Sequence, residues 1–221
     1  MIPYNIPHVS GKEIDYIKAC IERKNLSGDG LFTKLATRQL CKLLDTDDNS
    51  ILLTTSCTDA LEMSAILLDI KEGDEVIMPS FTFVSTALAF IMRGAKIIFV
   101  DSEDKTPNLD AQKISKLITD KTKAVVPVHY AGIACDMDLL TTFGISLVED
   151  NAQGITSRYY GLPLGTIGRL GTLSFHESKN INCGEGGALI INDPTLRARA
   201  EIIREKGTNR GLMNIVFKKI L

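Results

Sequence analysis

Apolar residues in this chain fall in short unbroken runs closed by polar or glycine residues, and between the runs they recur at helical spacing. The runs Ser50–Thr54, Glu75–Pro79, Lys96–Val100, Lys123–His129, Ile145–Glu149, Gly171–Phe175 and Ala188–Ile191 predict strands. Helices are predicted between them at Asp59–Leu68, Thr82–Arg93, Ala111–Ile118 and Met137–Phe143, with a closing helix Pro194–Lys206 that carries proline in its first turn. Upstream, Ser10 with Glu13 reads as a capping box, and Ile14, Ile17 and Ile21 mark a first helix. Asn25–Gly30 breaks that helix, and a second one, Thr33–Leu44, is expected to bury Leu35, Leu40 and Leu43. Unbroken apolar runs indicate strands covered on both faces. The fold class is therefore α/β, a mainly parallel sheet sandwiched by helices.

In such a sheet, ligands gather beyond the carboxyl ends of the strands. Thr55–Thr58, Ser80–Phe83, His129–Tyr130, Asp150 and Ser174–Lys179 each follow an apolar run, so they converge on that one edge.

A chain of 221 residues is long enough for one sizeable core. A net charge of −2, without a Lys/Arg block, gives no reason to expect nucleic acid or a membrane surface as partner. Neither a leader-like start nor a spanning apolar run is seen, so a cytoplasmic location is expected. The five cysteines (Cys20, Cys41, Cys57, Cys135 and Cys183) never pair as C-x-x-C, which argues for reduced, mostly buried thiols and against structural zinc. The spacing of His8, His129 and His176 asks for no metal.

The candidate chemistry centres on Lys179, held between the run Leu170–Phe175 and the glycine-rich stretch Gly184–Gly187. A desolvated ammonium loses its preference for charge, and the free amine can attack a carbonyl; the plain alternative is a surface lysine on a loop. The glycines would let backbone approach a flat ligand. Thr54–Ala60 crosses from strand to helix with hydroxyl residues at the cap, which suits a phosphate or is simple capping. There the Asp59 charge would repel phosphate unless only its backbone N–H is used. Asp150 ends an apolar strand, either as partner to a pyridinium nitrogen or as the cap of the next turn. Phe83, early in its helix, could cover a flat ring or pack in the core. Gln153 could reach a phenolic oxygen or face water, and His176 could assist proton transfer or be a packed, hydrogen-bonded histidine. Phosphate cup, ring cover, pyridine partner and aldehyde-reactive lysine together are the needs of pyridoxal 5'-phosphate. No P-loop, no dinucleotide fingerprint in the first βα unit and no nucleophile elbow is present.

The segments Leu26–Gly30, Gly73–Thr86, Val126–Gly132, Val148–Asp150 with Gln153, Ser174–His176 with Lys179–Asn180, and Gly184–Gly187 resemble the DegT-type sugar-nucleotide aminotransferases, of the fold shared with aspartate aminotransferase (fold type I). The resemblance runs from Met1 to about Arg210. It implies that Lys179 binds the cofactor's aldehyde, Asp150 pairs with the pyridine nitrogen, Phe83 covers the ring and Gln153 meets the phenolic oxygen. Thr58, the Asp59 backbone and Ser174 would hold the phosphate. Relatives with histidine in place of this lysine are dehydratases, so Lys179 favours amino transfer. Gly28–Gly30, Ser56–Thr58 and Arg204–Arg210 are most similar to members that use L-glutamate to aminate dTDP-4-keto-6-deoxyglucose, giving dTDP-4-amino-4,6-dideoxygalactose for enterobacterial common antigen. A homodimer is likewise implied.

Residues 1–32 are read as an N-terminal segment with the first helix, 33–210 as the cofactor-binding large domain, and 211–221 as a tail that departs from the family pattern. The family's smaller C-terminal domain is absent from this sequence, so impaired transamination is expected. The alternative is a non-catalytic remnant that binds cofactor or pairs with an intact homologue.

Overall fold

The computed structural model describes residues 1–3 and 5–208. The 211–221 tail and the last two residues of the Arg204–Arg210 segment lie outside them. Seven strands form one sheet: β1 (Ile51–Thr54), β2 (Glu75–Pro79), β3 (Lys96–Val100), β4 (Thr122–Val125), β5 (Ser146–Asp150), β8 (Leu170–Ser174) and β9 (Gly187–Ile191). A two-stranded hairpin, β6 (Arg158–Tyr159) and β7 (Leu162–Pro163), interrupts the series. The order across the sheet is β1-β9-β8-β5-β4-β2-β3. Only β9 runs antiparallel to its neighbours, so the sheet is mainly parallel and mixed.

Both faces of the sheet are covered, which is why its strands read as unbroken apolar runs. Val76 and Met78 of β2 and Val148 of β5 join a core with α3 (Cys57–Leu67), α4 (Val84–Ile91) and α7 (Arg197–Arg204). Their neighbours of opposite parity, Ile77 and Leu147, face α5 (Ala111–Ile114) and α6 (Met137–Thr142). A third cluster seats α2 (Leu31–Leu43) on β1, β8 and β9 through Leu40, Cys41 and Leu44. The strand alternation of period two thus assigns each residue to one helical layer.

Several expectations change. α1 (Glu13–Glu22) forms, but its N-cap is Lys12. Ser10 Oγ accepts from the Lys12 N–H, and Glu13 reaches back to the Ser10 N–H, so half of the capping box is made. Leu35 and Leu43 are exposed, because the face of α2 that meets the sheet carries Leu40, Cys41 and, at its C-cap, Leu44. α5 stops at Ile114, and a short 3-10 turn Pro194–Leu196 precedes α7. Regular pairing of β4 ends at Val125, just before Pro127, which has no N–H to donate. Beyond it only a bridge from Val128 to Asp150 continues the ladder. Two of the five cysteines, Cys41 and Cys135, are buried; Cys20 and Cys57 are half-buried and Cys183 is exposed.

The glycine-rich stretch serves the chain's own packing. A Cβ on Gly187 would collide with the backbone of Ser56 and Cys57, so glycine there lets β9 begin against the N-terminus of α3. Gly187→Ala is expected to cost about 2–3 kcal/mol, as overpacking against rigid backbone does. Urea unfolding checks this, and an unchanged midpoint would contradict it.

Candidate active site

A cavity of about 550 Å³ opens at the carboxyl edge of the sheet. Residues after five strands line it: Thr58 beyond β1, Phe83 beyond β2, His129 beyond β4, Asp150 and Gln153 at β5, and Ser174, His176 and Lys179 at β8. The parallel strands share a direction, so their ends deliver these residues to one edge.

Asp150 sits on the inner wall, 5% exposed. Its parity is that of Val148, so the side chain faces α4, where Thr86 Oγ donates to Oδ2 at 2.8 Å. The Ala152 N–H donates to Oδ1 at 3.2 Å. Thr86 in turn lies 2.8 Å from Thr82 Oγ. Burial pushes the Asp150 carboxyl above its ordinary value, against the opposing pull of Thr86, the Ala152 N–H and the Lys179 charge. A buried carboxylate of this kind calls for a cation in front of it.

Lys179 follows β8 in a turn closed by its own N–H on the His176 carbonyl at 2.9 Å. It is half-buried and lines the same cavity as Asp150. The turn is held to the start of β9 by Phe175 N–H on the Gly186 carbonyl and Glu177 N–H on the Gly184 carbonyl, each 2.8 Å. His176 Nδ1 is bonded within the turn to Ser178, 2.8 Å from its Oγ, and Nε2 lies 3.7 Å from Glu185 Oε1. Ser174 Oγ accepts from the His176 N–H at 3.4 Å.

At the N-terminus of α3, Ser56 is the cap, its Oγ accepting from the Asp59 N–H at 3.1 Å. Thr58 Oγ donates to Ser85 Oγ at 2.8 Å, which brings the starts of α3 and α4 together at the cavity. The first N–H groups of a helix have no partner within it, and its dipole favours an anion there. The Asp59 carboxylate accepts from the Thr55 hydroxyl and opens onto a second cavity with Asp29 and Arg204. Alone among the predicted site residues, Asp59 does not line the main cavity.

Phe83 is the extended N-cap of α4, outside the helix, and 74% exposed; it is no core residue. Phe81 and Tyr130 stand near it with ring centroids 5.0 Å apart. Gln153 Oε1 accepts from the Ala131 N–H at 2.7 Å, on a turn where Ala131 is left-handed with φ 53°. The bond fixes the amide, so its NH2 group is the end left for a ligand's oxygen.

Sequence reasoning assigned no role to Thr86, Ser85, His129 or Glu149. Thr86 stands in the Gly73–Thr86 segment, but its bond to Asp150 depends on α4 lying over β5, a contact no local pattern shows. Among the described residues no group of three or more His, Cys, Asp and Glu is placed to hold a metal, and no helix is long and apolar enough to cross a membrane.

A carboxylate deep in a cavity, a lysine on the same lining and a helix start beside them define a class, the fold type I enzymes that work with pyridoxal phosphate. The chain belongs to the DegT/DnrJ/EryC1/StrS aminotransferase family, whose pattern matches residues 7–219. It is 33% identical over 213 residues to GDP-perosamine synthase of Escherichia coli O157:H7, covering 93% of this chain and 57% of that protein. Its structure resembles the aminotransferase TlmJ from Streptoalloteichus hindustanus, with TM-score 0.85, 32% identity and 91% and 56% coverage of the two chains. It also resembles the PLP form of Spr1654 from Streptococcus pneumoniae, with TM-score 0.81, 29% identity and 91% and 55% coverage. The chain thus spans about half the length of the relatives it matches. Family and PLP-form neighbour indicate pyridoxal phosphate as the cofactor, and the buried Asp150 facing the cavity with Lys179 fits it.

The raised Asp150 pKa has a sign that can be tested. A carboxyl group whose folded pKa lies above its unfolded one adds stability that is full below the unfolded pKa and is lost as pH rises through the folded pKa. Asp150→Asn is therefore expected to stabilise the cofactor-free chain at about pH 8 by roughly 1 kcal/mol, a few degrees in Tm, with the gain gone near pH 4. Thermal melts at the two pH values check this; a lower Tm for the variant at the higher pH would contradict it.

Proposed function

We propose that this chain is the cofactor-binding part of a pyridoxal-phosphate sugar-nucleotide aminotransferase. Its substrates are then L-glutamate and dTDP-4-keto-6-deoxyglucose, and its product dTDP-4-amino-4,6-dideoxygalactose. The observation that carries this reading is the shared cavity of Asp150 and Lys179 beside the α3 start. When bound, the cofactor serves as an electron sink for a carbanion and carries the amino group between the two substrates.

The residues divide that work. Asp150, held by Thr86, keeps the pyridine nitrogen protonated. Thr58, Ser174 and the first N–H groups of α3 hold the phosphate; the N–H of Asp59 is turned to Ser56, which leaves it a supporting part. Phe83 lies over the ring, and Gln153 donates to the phenolic oxygen. Lys179 would supply the amine that takes the proton from the α-carbon of L-glutamate and, in the second half, gives a proton to C4 of the sugar. His176, tied to Ser178 and facing Glu185, stands beside that proton path.

Among the described residues the cavity's lining includes one lysine and no arginine, whereas both substrates are anions. Groups for the diphosphate and the glutamate carboxylates would come from a second copy in a homodimer and from the half of the family's length not spanned here. Residues 33–210 would form the large domain and 1–32 the segment leading into it.

The nucleotide has a second reading. Likeness to GDP-perosamine synthase favours a GDP sugar, while the Gly28–Gly30 and Ser56–Thr58 motifs favour the dTDP sugar. A remnant that binds cofactor without turnover is the further alternative. Incubation with pyridoxal phosphate, L-glutamate and each keto sugar, read by absorbance and product mass, separates the three. Bleaching of the cofactor band by glutamate and an aminated dTDP sugar are expected. Lys179→Ala should lower the rate by roughly 10²–10⁴-fold, the usual worth of a proton-transferring group. An aminated GDP sugar would replace the first reading, and a band that glutamate leaves unchanged would support binding alone.

A further inference from the structure

Behind Asp150 lies a second pair of titratable groups that the proposed chemistry leaves unused. Glu149 and His129 are both fully buried, with Glu149 Oε2 2.9 Å from His129 Nε2. On its other side the Glu149 carboxylate accepts from the N–H groups of Gly165 and Ile167, each at 2.7 Å, and of Gly168 at 2.5 Å. No lysine or arginine is among these partners; four N–H groups take up the charge.

The proton on the imidazole has one place. The Cys135 N–H points at Nδ1 at 3.2 Å, so Nδ1 accepts and the proton sits on Nε2, donated to Glu149. His129 also grips the next residue. Its backbone N–H donates to the Asp150 carbonyl at 3.0 Å, and the Pro127 carbonyl accepts from the Asp150 N–H at 2.9 Å. One residue thus holds two successive positions of β5, the first by its ring and the second by its backbone. Because side chains alternate along a strand, fixing Glu149 on the far face fixes the rotation that aims Asp150 into the cavity.

The same hold reaches the rest of the site. The turn after His129 supplies the Ala131 N–H to Gln153, and the Gly165–Gly168 segment leads into β8, whose end carries Ser174 and the Lys179 turn. Gly171 has no room for a Cβ beside the Gly165 carbonyl, so that segment packs directly on β8.

We propose that His129 is a positioning residue for Asp150, acting through Glu149 to set the aim of the carboxylate that meets the cofactor's ring nitrogen. This rests on the cofactor reading above. The test uses the full chain with pyridoxal phosphate labelled with 15N in the ring, so that its signal reports whether the ring nitrogen is protonated, together with equilibrium cofactor binding and Tm. His129→Asn keeps an acceptor near the Cys135 N–H but is too short to reach Glu149; His129→Gln places an amide N–H toward it. His129→Asn is expected to weaken cofactor binding at least about tenfold, as loss of a charge-assisted hydrogen bond does, and to move the ring signal toward the unprotonated form. His129→Gln should stay within about threefold of the parent chain on the same scale.

Wild-type affinity and ring signal in His129→Asn, with only Tm lowered, would overturn the proposal, as would equal losses in the two variants. The imidazole 15N spectrum of the unaltered chain decides where a variant fails to fold. An Nε2–H tautomer is expected, and an Nδ1–H tautomer would overturn the two-point hold. Failure of the unaltered chain itself to bind pyridoxal phosphate would instead bring down the cofactor reading and this inference with it.

Discussion

Placing a carboxylate on the dry wall of a cavity opposes folding unless something in front of it carries positive charge. Asp150 occupies that position, with a hydroxyl and one backbone N–H bonded to it and a lysine on the lining of the same cavity. Much of the surrounding architecture serves to keep it there. α4 lies across the sheet so that Thr86 meets the carboxylate, and the segment that follows β4, from Pro127 to His129, clamps the backbone of Asp150 from the side. In the proposed reading, a cationic ring nitrogen would offset what burial disfavours.

The sheet topology explains why such distant residues meet. Six strands share one direction, and the segments leaving β1, β2, β4, β5 and β8 open on one edge. β9 turns back between β8 and β1, and the absence of a side chain at Gly187 lets it begin against Ser56 and Cys57. The start of α3 and the Lys179 turn are joined through that contact, since Gly186 and Gly184 hold the turn from the other side. The distance between helix start and amine is therefore a property of β9 as much as of β8.

Much of this was legible in the residues. The bounds of β2 and β3 coincide with the apolar runs Glu75–Pro79 and Lys96–Val100, although only β2 is buried throughout and the edge strand β3 leaves Lys96 and Phe99 exposed. Seven of the eight predicted site residues line the cavity because each lies at the carboxyl end of a strand or in the segment that leaves it. Asp59 does not, since a helix turns successive side chains by about 100° and carries its carboxylate to Thr55 on another side. Leu35 and Leu43 were misplaced because periodicity shows which residues are apolar, not what lies opposite them. The reversed direction of β9, the Thr86 bond and the Glu149–His129 pair were out of reach because each depends on which strands and helices become neighbours.

The most direct measurement is peptide mapping after the chain has been mixed with pyridoxal phosphate and reduced with borohydride. A single phosphopyridoxyl group on the peptide that contains Lys179, lost when Asp150 is replaced by alanine, is the expected result. Label spread over the exposed lysines, or label on Lys179 that is indifferent to Asp150, would show that amine and carboxylate do not hold one ring between them.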